Sequence, residues 1–152
     1  MAATERGKSP RTYLVALDGS APKPFGPEGF RGVAVSPDGQ YVAGSARDAH
    51  GIVSFGNDQT LQPLPFIPMD QIVVGWTADG KSLYVGDTSS NTVKVYIVDV
   101  KTGQRRLHHQ HAPADFAAVA GVGPGQITPE GNFYVYSVGR TLSYLYVVEG
   151  LK

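Results

Sequence analysis

One kind of tight turn occurs three times along the chain, and each copy is followed at once by an alternating strand pattern. The three turns are Ser36-Pro37-Asp38-Gly39, Thr77-Ala78-Asp79-Gly80 and Thr128-Pro129-Glu130-Gly131. They begin 41 and then 51 residues apart. Aromatic residues that open apolar runs are spaced in nearly the same way, at Tyr13, Phe55, Tyr96 and Tyr146. Because both markers lengthen in the last interval, the chain repeats one structural unit, with an insertion of about ten residues.

A period near 41 residues that is built from short strands is typical of a β-propeller blade. The 19 glycines and 11 prolines disfavour helices and suit tight turns. We therefore expect an all-β fold, namely a partial β-propeller of antiparallel four-stranded blades with about three blades plus a half-blade. The expected units are a flexible lead-in at residues 1–11, a half-blade at 12–25, blades at 31–66 and 71–110, and an incomplete blade at 120–152.

This division predicts thirteen strands, the last of them at 142–148. A closed ring of six to eight blades needs roughly 250 to 330 residues, about twice the length of this chain. An open arc would leave apolar faces and strand edges in water. We therefore expect the chain to be the C-terminal part of a longer propeller, or two copies to complete each other.

Composition excludes several kinds of partner and chemistry. Thirteen basic and thirteen acidic side chains give no net charge, so no nucleic-acid partner is expected. No run approaches the roughly 18 apolar residues of a membrane span, and we expect no membrane insertion by this segment. The chain has no cysteine, which excludes disulfides and thiolate chemistry. The polar start, residues 1–11, does not have the pattern of a secretory signal.

One run has the spacing of a phosphate-binding loop, Gly75-Trp-Thr-Ala-Asp-Gly80-Lys81-Ser82. Such a loop needs a helix after it, whereas Lys81 and Ser82 lead into an alternating strand. We therefore predict a hairpin here, and no cofactor. The sequence also has no Gly-rich nucleotide loop, no His-Arg-Asp loop and no Asp-Phe-Gly site, so we expect no catalytic residues in this chain.

The histidines are the only candidates for a metal site. His108, His109 and His111 are close in sequence to Asp115, and imidazole with carboxylate can hold zinc or nickel. Strand alternation predicts that His108 faces away from His109 and His111. Two histidines and one carboxylate are too few for a closed tetrahedral site, so no metal is expected. The fourth histidine, His50, is expected in a polar turn, and no catalytic triad can be assembled around it.

The insertion is the candidate for specificity, because loops on a rigid scaffold often carry binding. It lies between the outer strand near Leu107 and the next inner strand, and we expect Asp115, Phe116 and Val119 to form a partner-binding loop. Phe116 and Val119 have the spacing of a short helix that covers the gap between blades. The alternative is a plug that seals the edge of the channel. Trp76 is expected to pack between blades rather than to bind a partner.

The repeated turns, the run from Tyr13 to Gly19 and the tyrosine-rich ending at 134–152 together resemble TolB-like, WD40-type β-propellers. More narrowly, the ending is similar to that of the C-terminal propeller of acidobacterial serine/threonine protein kinases. The resemblance implies a non-catalytic sensory or protein-interaction propeller, which forms the C-terminal regulatory segment of a larger bacterial signalling protein. The kinase domain would lie outside this chain, and the segment would lie on the extracytoplasmic side of a membrane-anchored parent.

The resemblance also implies a protein or peptide ligand as a partner. The incomplete ring adds the rest of the propeller, or a second copy of the chain, as a further expected partner. Two different functions stay open beside this one, namely the propeller portion of a hydrolase or peptidase, and a free periplasmic TolB-like binding protein.

Overall fold

The structure is a computed structural model that describes residues 2–3, 9–56, 58–90, 92–112, 117 and 119–143. Within these ranges the regular structure consists of thirteen β-strands and no helix, arranged in four antiparallel sheets. The first sheet contains β1 (Ala2–Ala3), β2 (Arg11–Leu14) and β3 (Lys23–Phe25). The second contains β4 (Arg31–Val35), β5 (Tyr41–Ser45), β6 (His50–Ser54) and β7 (Leu61–Pro63).

The third and fourth sheets continue the same order along the chain. The third contains β8 (Gln71–Trp76), β9 (Ser82–Asp87), β10 (Val93–Asp99) and β11 (Arg105–His111). The fourth contains β12 (Val119–Ile127) and β13 (Tyr134–Arg140). In every sheet each strand pairs with the next strand along the chain. The predicted fold class, an all-β partial propeller with antiparallel four-stranded blades, is confirmed.

Two parts of the sequence prediction differ from the structure. Ala2 and Ala3 pair with Thr12 and Arg11, so the expected flexible lead-in contributes a strand and the first sheet has three strands instead of two. In the last unit, β13 ends at Arg140 and Leu142 follows it outside any strand, so the expected strand does not begin at 142. The remainder of that predicted strand, from residue 144, lies outside the described residues.

The repeated turns are held by the side chains that identify them in the sequence. The Ser36 hydroxyl donates to Asp38 Oδ1 at 2.5 Å, and the same carboxylate oxygen accepts from the Gln40 amide at 3.0 Å. Gly39 follows with a φ of 69°, a conformation that glycine adopts without steric cost. Thr77, Asp79 and Gly80 repeat this arrangement. The predicted Asp-Gly hairpins are therefore confirmed, including the one in the run with phosphate-loop spacing.

The innermost strands add a third repeated marker. The pairing of β4 with β5 shifts between Gly32 and Ala34, and that of β8 with β9 shifts between Val73 and Gly75. The extra residues, Val33 and Val74, are 41 positions apart. In β12 the corresponding shift in pairing lies at residues 124–125, about 51 positions after Val74. A β-bulge at the same register bends each inner strand in the same way, so the bulge is a regular feature of the repeated unit.

The core lies between the sheets, where their faces pack together. In β9, Leu83 and Val85 pack toward the second sheet, whereas Tyr84 packs toward the fourth. Apolar clusters therefore pack on both faces of the third sheet, and each fully buried aliphatic side chain contributes about 1.5–3 kcal/mol. Between the first and second sheets the buried residues are Phe25, Phe30, Val42 and Val53.

Trp76 joins the second and third sheets. Its side chain is 4% exposed, and its indole Nε1 donates to Ala34 O at 3.1 Å. The predicted role in packing between blades is confirmed. In the part of the chain that the structure describes, no helix has the length and apolarity needed to cross a membrane.

Candidate functional site

A cleft of about 450 Å³ lies between the outer strand of the third sheet and the fourth sheet. Imidazole and aromatic side chains dominate its walls, and we call it the imidazole–tyrosine cleft. It is lined by His108, His109, Ile127, Gly131, Asn132, Phe133, Tyr134 and Tyr136.

A β-bulge in β11 sets the direction of its histidines. Val95 pairs with His109 and Tyr96 pairs with Leu107, so His108 is an extra residue between the two pairs. At a bulge, two residues of one strand oppose a single residue of the other, and strict alternation is lost.

Because of this bulge, all three imidazoles of β11 face the fourth sheet. His108 Nε2 lies 3.2 Å from Gly131 O. The His109 ring lies 6.1 Å from that of Tyr134, and the His111 ring lies 3.9 Å from that of Tyr136, measured between centroids. The prediction that His108 faces away from His109 and His111 is therefore wrong.

The two tyrosines of the opposite wall share a face because they are two positions apart in β13. Their ring centroids are 6.0 Å apart and their planes differ by 17°. Val135, between them, is 70% exposed on the other face of the strand. The His109 and His111 rings are arranged similarly, with centroids 6.5 Å apart and planes within 13°. The walls thus present two pairs of nearly parallel rings.

Tyr84 of β9 supports the end of the cleft nearest to the repeated turn. Its ring centroid is 5.3 Å from that of His108, and its hydroxyl donates to Pro129 O at 3.2 Å. Burial raises the pKa of Tyr84, Glu130 and Asp79 act in the same direction, and Arg106 acts against them. The phenol therefore remains protonated near neutral pH and serves as a hydrogen-bond donor that joins the third and fourth sheets.

The repeated turn of the fourth sheet forms part of the wall, and glycine is required there. Gly131 has a φ of 74°. A β-carbon at this position would lie 2.6 Å from Tyr84 Oη and 2.9 Å from His108 Nε2. Any larger side chain would therefore push both rings out of place.

The chemistry available in the cleft is ring stacking and hydrogen bonding. The described residues of its lining include no carboxylate, lysine or serine. Among the described residues, the aspartates with a resolved pKa shift all have a lowered pKa, and in each case the largest cause is a hydrogen bond from a nearby Ser or Thr hydroxyl or from a backbone amide. These carboxylates therefore accept hydrogen bonds that stabilise turns. They are not suited to act as general acids near neutral pH, because that role needs a raised pKa. Within the described ranges, no group of three or more His, Asp or Glu side chains could hold a metal ion.

The residues expected to form a partner-binding loop are only partly described. Asp115 and Phe116 lie outside the described residues. Val119 is the first residue of β12, pairs with Arg140 and packs, partly buried, against the core between the third and fourth sheets. The expected short helix therefore does not include Val119.

The expected insertion is partly taken up by longer strands. β11 has seven residues where β7 has three, and β12 has nine where β8 has six. Strand pairing thus extends into the segment that the sequence predicts to be a loop. It can do so because the partner strands, β10 and β13, are also long.

His50 is also placed differently from the expectation of a polar turn. It is the first residue of β6, pairs with Ser45 and is only 5% exposed. The cleft tyrosines were not among the expected site residues. The Tyr-Val-Tyr alternation at 134–136 was the available signal, because it places two rings on one face of a strand.

The successive antiparallel sheets follow one another along the chain and pack face to face, as the blades of a β-propeller do. The sequence model of the family described as "Lactonase, 7-bladed beta-propeller" matches residues 16–120. The chain belongs to this family.

Its fold is also similar to that in the crystal structure of TolB from Acinetobacter baumannii. The two agree with a TM-score of 0.57 at 21% sequence identity, over 91% of this chain and 39% of the TolB chain. At this identity the likeness concerns the fold alone. This chain thus spans about two fifths of the length of that protein. No curated protein sequence matches the chain significantly.

Proposed function

We propose that this chain is a non-catalytic binding segment of a seven-bladed propeller, and that it recognises a protein or peptide through the imidazole–tyrosine cleft. The composition of the cleft carries this proposal. Its rings can stack on a partner and its imidazole and phenol groups can hydrogen-bond, while the described residues of its lining include no nucleophile paired with a base. Aromatic side chains in pockets are typical anchors of protein interfaces.

The parent that we propose is a larger bacterial signalling protein, with this chain as its C-terminal regulatory segment and a kinase domain outside it. The resemblance of the tyrosine-rich ending to the propellers of acidobacterial serine/threonine kinases supports this proposal. The likeness of fold to TolB is consistent with a binding role, and we place the segment on the extracytoplasmic side of the membrane. The rest of the ring would be supplied by the parent chain or by a second copy.

Selection of peptides from a random library against the purified chain tests the binding role. We expect selected peptides to lose at least tenfold in affinity in Tyr136→Ala and in Phe133→Ala, because both side chains line the cleft and are exposed. Val135→Ala is the matched control, since Val135 is exposed on the opposite face of the same strand. Peptides whose affinity is the same in all three variants would contradict the proposal.

A second candidate function is hydrolysis, because the name of the family includes a lactonase. Opening a lactone ring requires a base that activates water and donors that stabilise the oxyanion. The cleft lining includes two imidazoles, and His109 is the candidate for this base because it is exposed, whereas His108 Nε2 lies 3.2 Å from Gly131 O. A propeller attached to a peptidase and a free periplasmic TolB-like binding protein are the remaining candidates.

An assay with a simple six-membered lactone separates peptide binding from lactone hydrolysis. If the chain only binds, it will not accelerate hydrolysis above the spontaneous rate. A faster rate that is abolished in His109→Ala would favour the hydrolase instead.

A further inference from the structure

A second, smaller cleft lies between the second and third sheets, away from the imidazole–tyrosine cleft. Its volume is about 170 Å³. Its polar lining comprises Ser45, His50 and Gln71, and its apolar lining includes Val33, Met69 and Ile72.

His50 is the unusual residue of this cleft. The side chain is 5% exposed, and both Nδ1 and Nε2 are buried without a hydrogen-bond partner. Its backbone carbonyl accepts from Leu64 N at 2.8 Å, and the residue pairs with Ser45 across the sheet. The side-chain atoms of His50 that lack a hydrogen-bond partner are the two imidazole nitrogens.

A buried neutral imidazole needs one acceptor for its N–H and one donor for its other nitrogen. Leaving both without partners is costly, and in folded proteins such groups usually have a partner in water or in a ligand. A ligand group that both donates and accepts can satisfy one or both nitrogens. Hydroxyl and primary amide groups meet this requirement.

The other walls restrict the ligand further. Among the described residues of the lining, His50 is the only ionisable side chain. The Arg105 guanidinium lies just behind this lining, where it donates to Gln71 Oε1 at 3.2 Å, and its charge also acts on Asp87. No charged side chain among the described residues lines the cleft itself, and burial of an unpaired charge is strongly unfavourable. Val33, Ile72 and Met69 are 55%, 41% and 47% exposed, and offer apolar contact at the mouth.

The size of the cleft agrees with a small occupant. Its volume corresponds to roughly five water molecules, or to a chain of about four carbon atoms with one polar group. Met69, with a flexible side chain, can move to admit such a molecule as far as the buried ring.

We propose that this cleft binds a small uncharged molecule in which a hydroxyl or primary amide group adjoins a short apolar chain, with His50 as its hydrogen-bond partner. The site is independent of the proposed peptide-binding role, because it uses a different pair of sheets. Binding of such a molecule between two blades would give the propeller a small-molecule site as well as a protein-binding one.

The test is a nitrogen-15 NMR titration of the histidine rings in the whole chain. The probes are 1-butanol, butyramide and butyrate, which share an alkyl chain of similar length and differ in the polar group. We expect saturable changes at the His50 nitrogens with 1-butanol and butyramide, and at least tenfold weaker binding of butyrate. His108, His109 and His111 serve as internal references, since they face the fourth sheet and should not respond.

Two variants test the location without depending on replacement of the buried ring. Ile72→Trp fills the mouth from a partly exposed position, and we expect it to weaken both uncharged probes at least tenfold. Val35→Trp is the matched control, because Val35 is 57% exposed on the neighbouring inner strand and does not line the cleft. His50→Phe should abolish the response of nearby methyl groups to both probes.

Three results would overturn the proposal. The first is the absence of any saturable change with the uncharged probes, which would mean that water alone is the partner of His50. The second is butyrate binding as tight as that of 1-butanol. The third is an unchanged response in Ile72→Trp.

Discussion

Gly39 and Gly131 occupy the same place in two copies of the repeated turn, yet they are under different constraints. Their φ values are 69° and 74°. A β-carbon at Gly39 would meet nothing within 4 Å, whereas one at Gly131 would meet Tyr84 Oη at 2.6 Å and His108 Nε2 at 2.9 Å. The requirement at Gly39 is therefore conformational, and the requirement at Gly131 is both conformational and steric.

This difference gives a paired prediction. We expect Gly39→Ala to lower the free energy of unfolding by about 1–2 kcal/mol, the cost of a left-handed conformation in an L-residue. Gly131→Ala should cost about 1–3 kcal/mol more, because Tyr84 and His108 must move. Urea denaturation followed by circular dichroism measures both. Equal losses in the two variants would show that the third and fourth sheets are not packed together at this turn.

Trp76 joins the second and third sheets by both packing and a hydrogen bond. We expect Trp76→Phe to lower the free energy of unfolding by at least about 1 kcal/mol, since the hydrogen bond to Ala34 O is lost. Trp76→Ala should cost about 3–5 kcal/mol because it also leaves a cavity. Denaturation must be followed by circular dichroism, because this is the only tryptophan of the chain. Wild-type stability in Trp76→Phe would mean that the indole hydrogen bond contributes nothing to the contact.

At the scale of elements, the repeated hairpin turns link stability to pH. The pKa of Asp38 lies below its ordinary value of 3.8 because the Ser36 hydroxyl, and then the Gln40 amide, donate to its carboxylate. The pKa of Asp79 is lowered mainly by the Thr77 hydroxyl and the Lys81 amide. Each carboxylate therefore stabilises the fold above pH 3.8, and this contribution is lost as the pH falls through the lower pKa of the folded state.

The variant Asp38→Asn/Asp79→Asn tests this linkage. We expect it to be less stable than the wild type near pH 7, and the difference to close as the pH falls to about 2. Thermal unfolding across this pH range provides the measurement. Asp70→Asn is the control for the loss of a charge, because Asp70 is exposed and lies outside these turns. A gap that persists unchanged at the lowest pH would assign the effect to the side-chain replacement rather than to ionisation.

The elements differ in how far the sequence predicts them. The turns are predictable because Ser or Thr, Asp and Gly form them through contacts within five residues. The bulge at His108 cannot be predicted in this way, because it is set by the pairing of β11 with β10. The Ala2–Ala3 strand also depends on a partner, and two alanines give no local signal. For the same reason, strict alternation misplaces His108 in the candidate site.

The burial of His50 is a further case in which neighbouring residues mislead. It follows Ala46-Arg-Asp-Ala49, a polar hairpin, and its sequence environment therefore indicates exposure. The packing of the second sheet against the third buries it instead, which only the tertiary structure reveals.

At the scale of the whole molecule, apolar clusters pack on both faces of the two four-stranded sheets, whereas the described part of the fourth sheet has one exposed face. Val135 is 70% exposed on the face of β13 that is turned away from the third sheet. Phe133, at the rim of the imidazole–tyrosine cleft, and Leu142, just after β13, are each 74% exposed. In a closed ring the next blade packs on such a sheet. Seven blades are the number that the family name states.

We therefore expect the isolated chain to associate with itself through the outer face of β13, because exposed apolar sheet surfaces and edges recruit partners. Val135→Lys should weaken association at least tenfold, since it places a charge at the centre of the contact. Leu17→Lys is the control, as Leu17 is fully exposed on the hairpin between β2 and β3. Sedimentation velocity over a wide range of concentration measures the effect. A chain that remains monomeric throughout would exclude a second copy as the cover for this face and leave the rest of a longer propeller as its occupant.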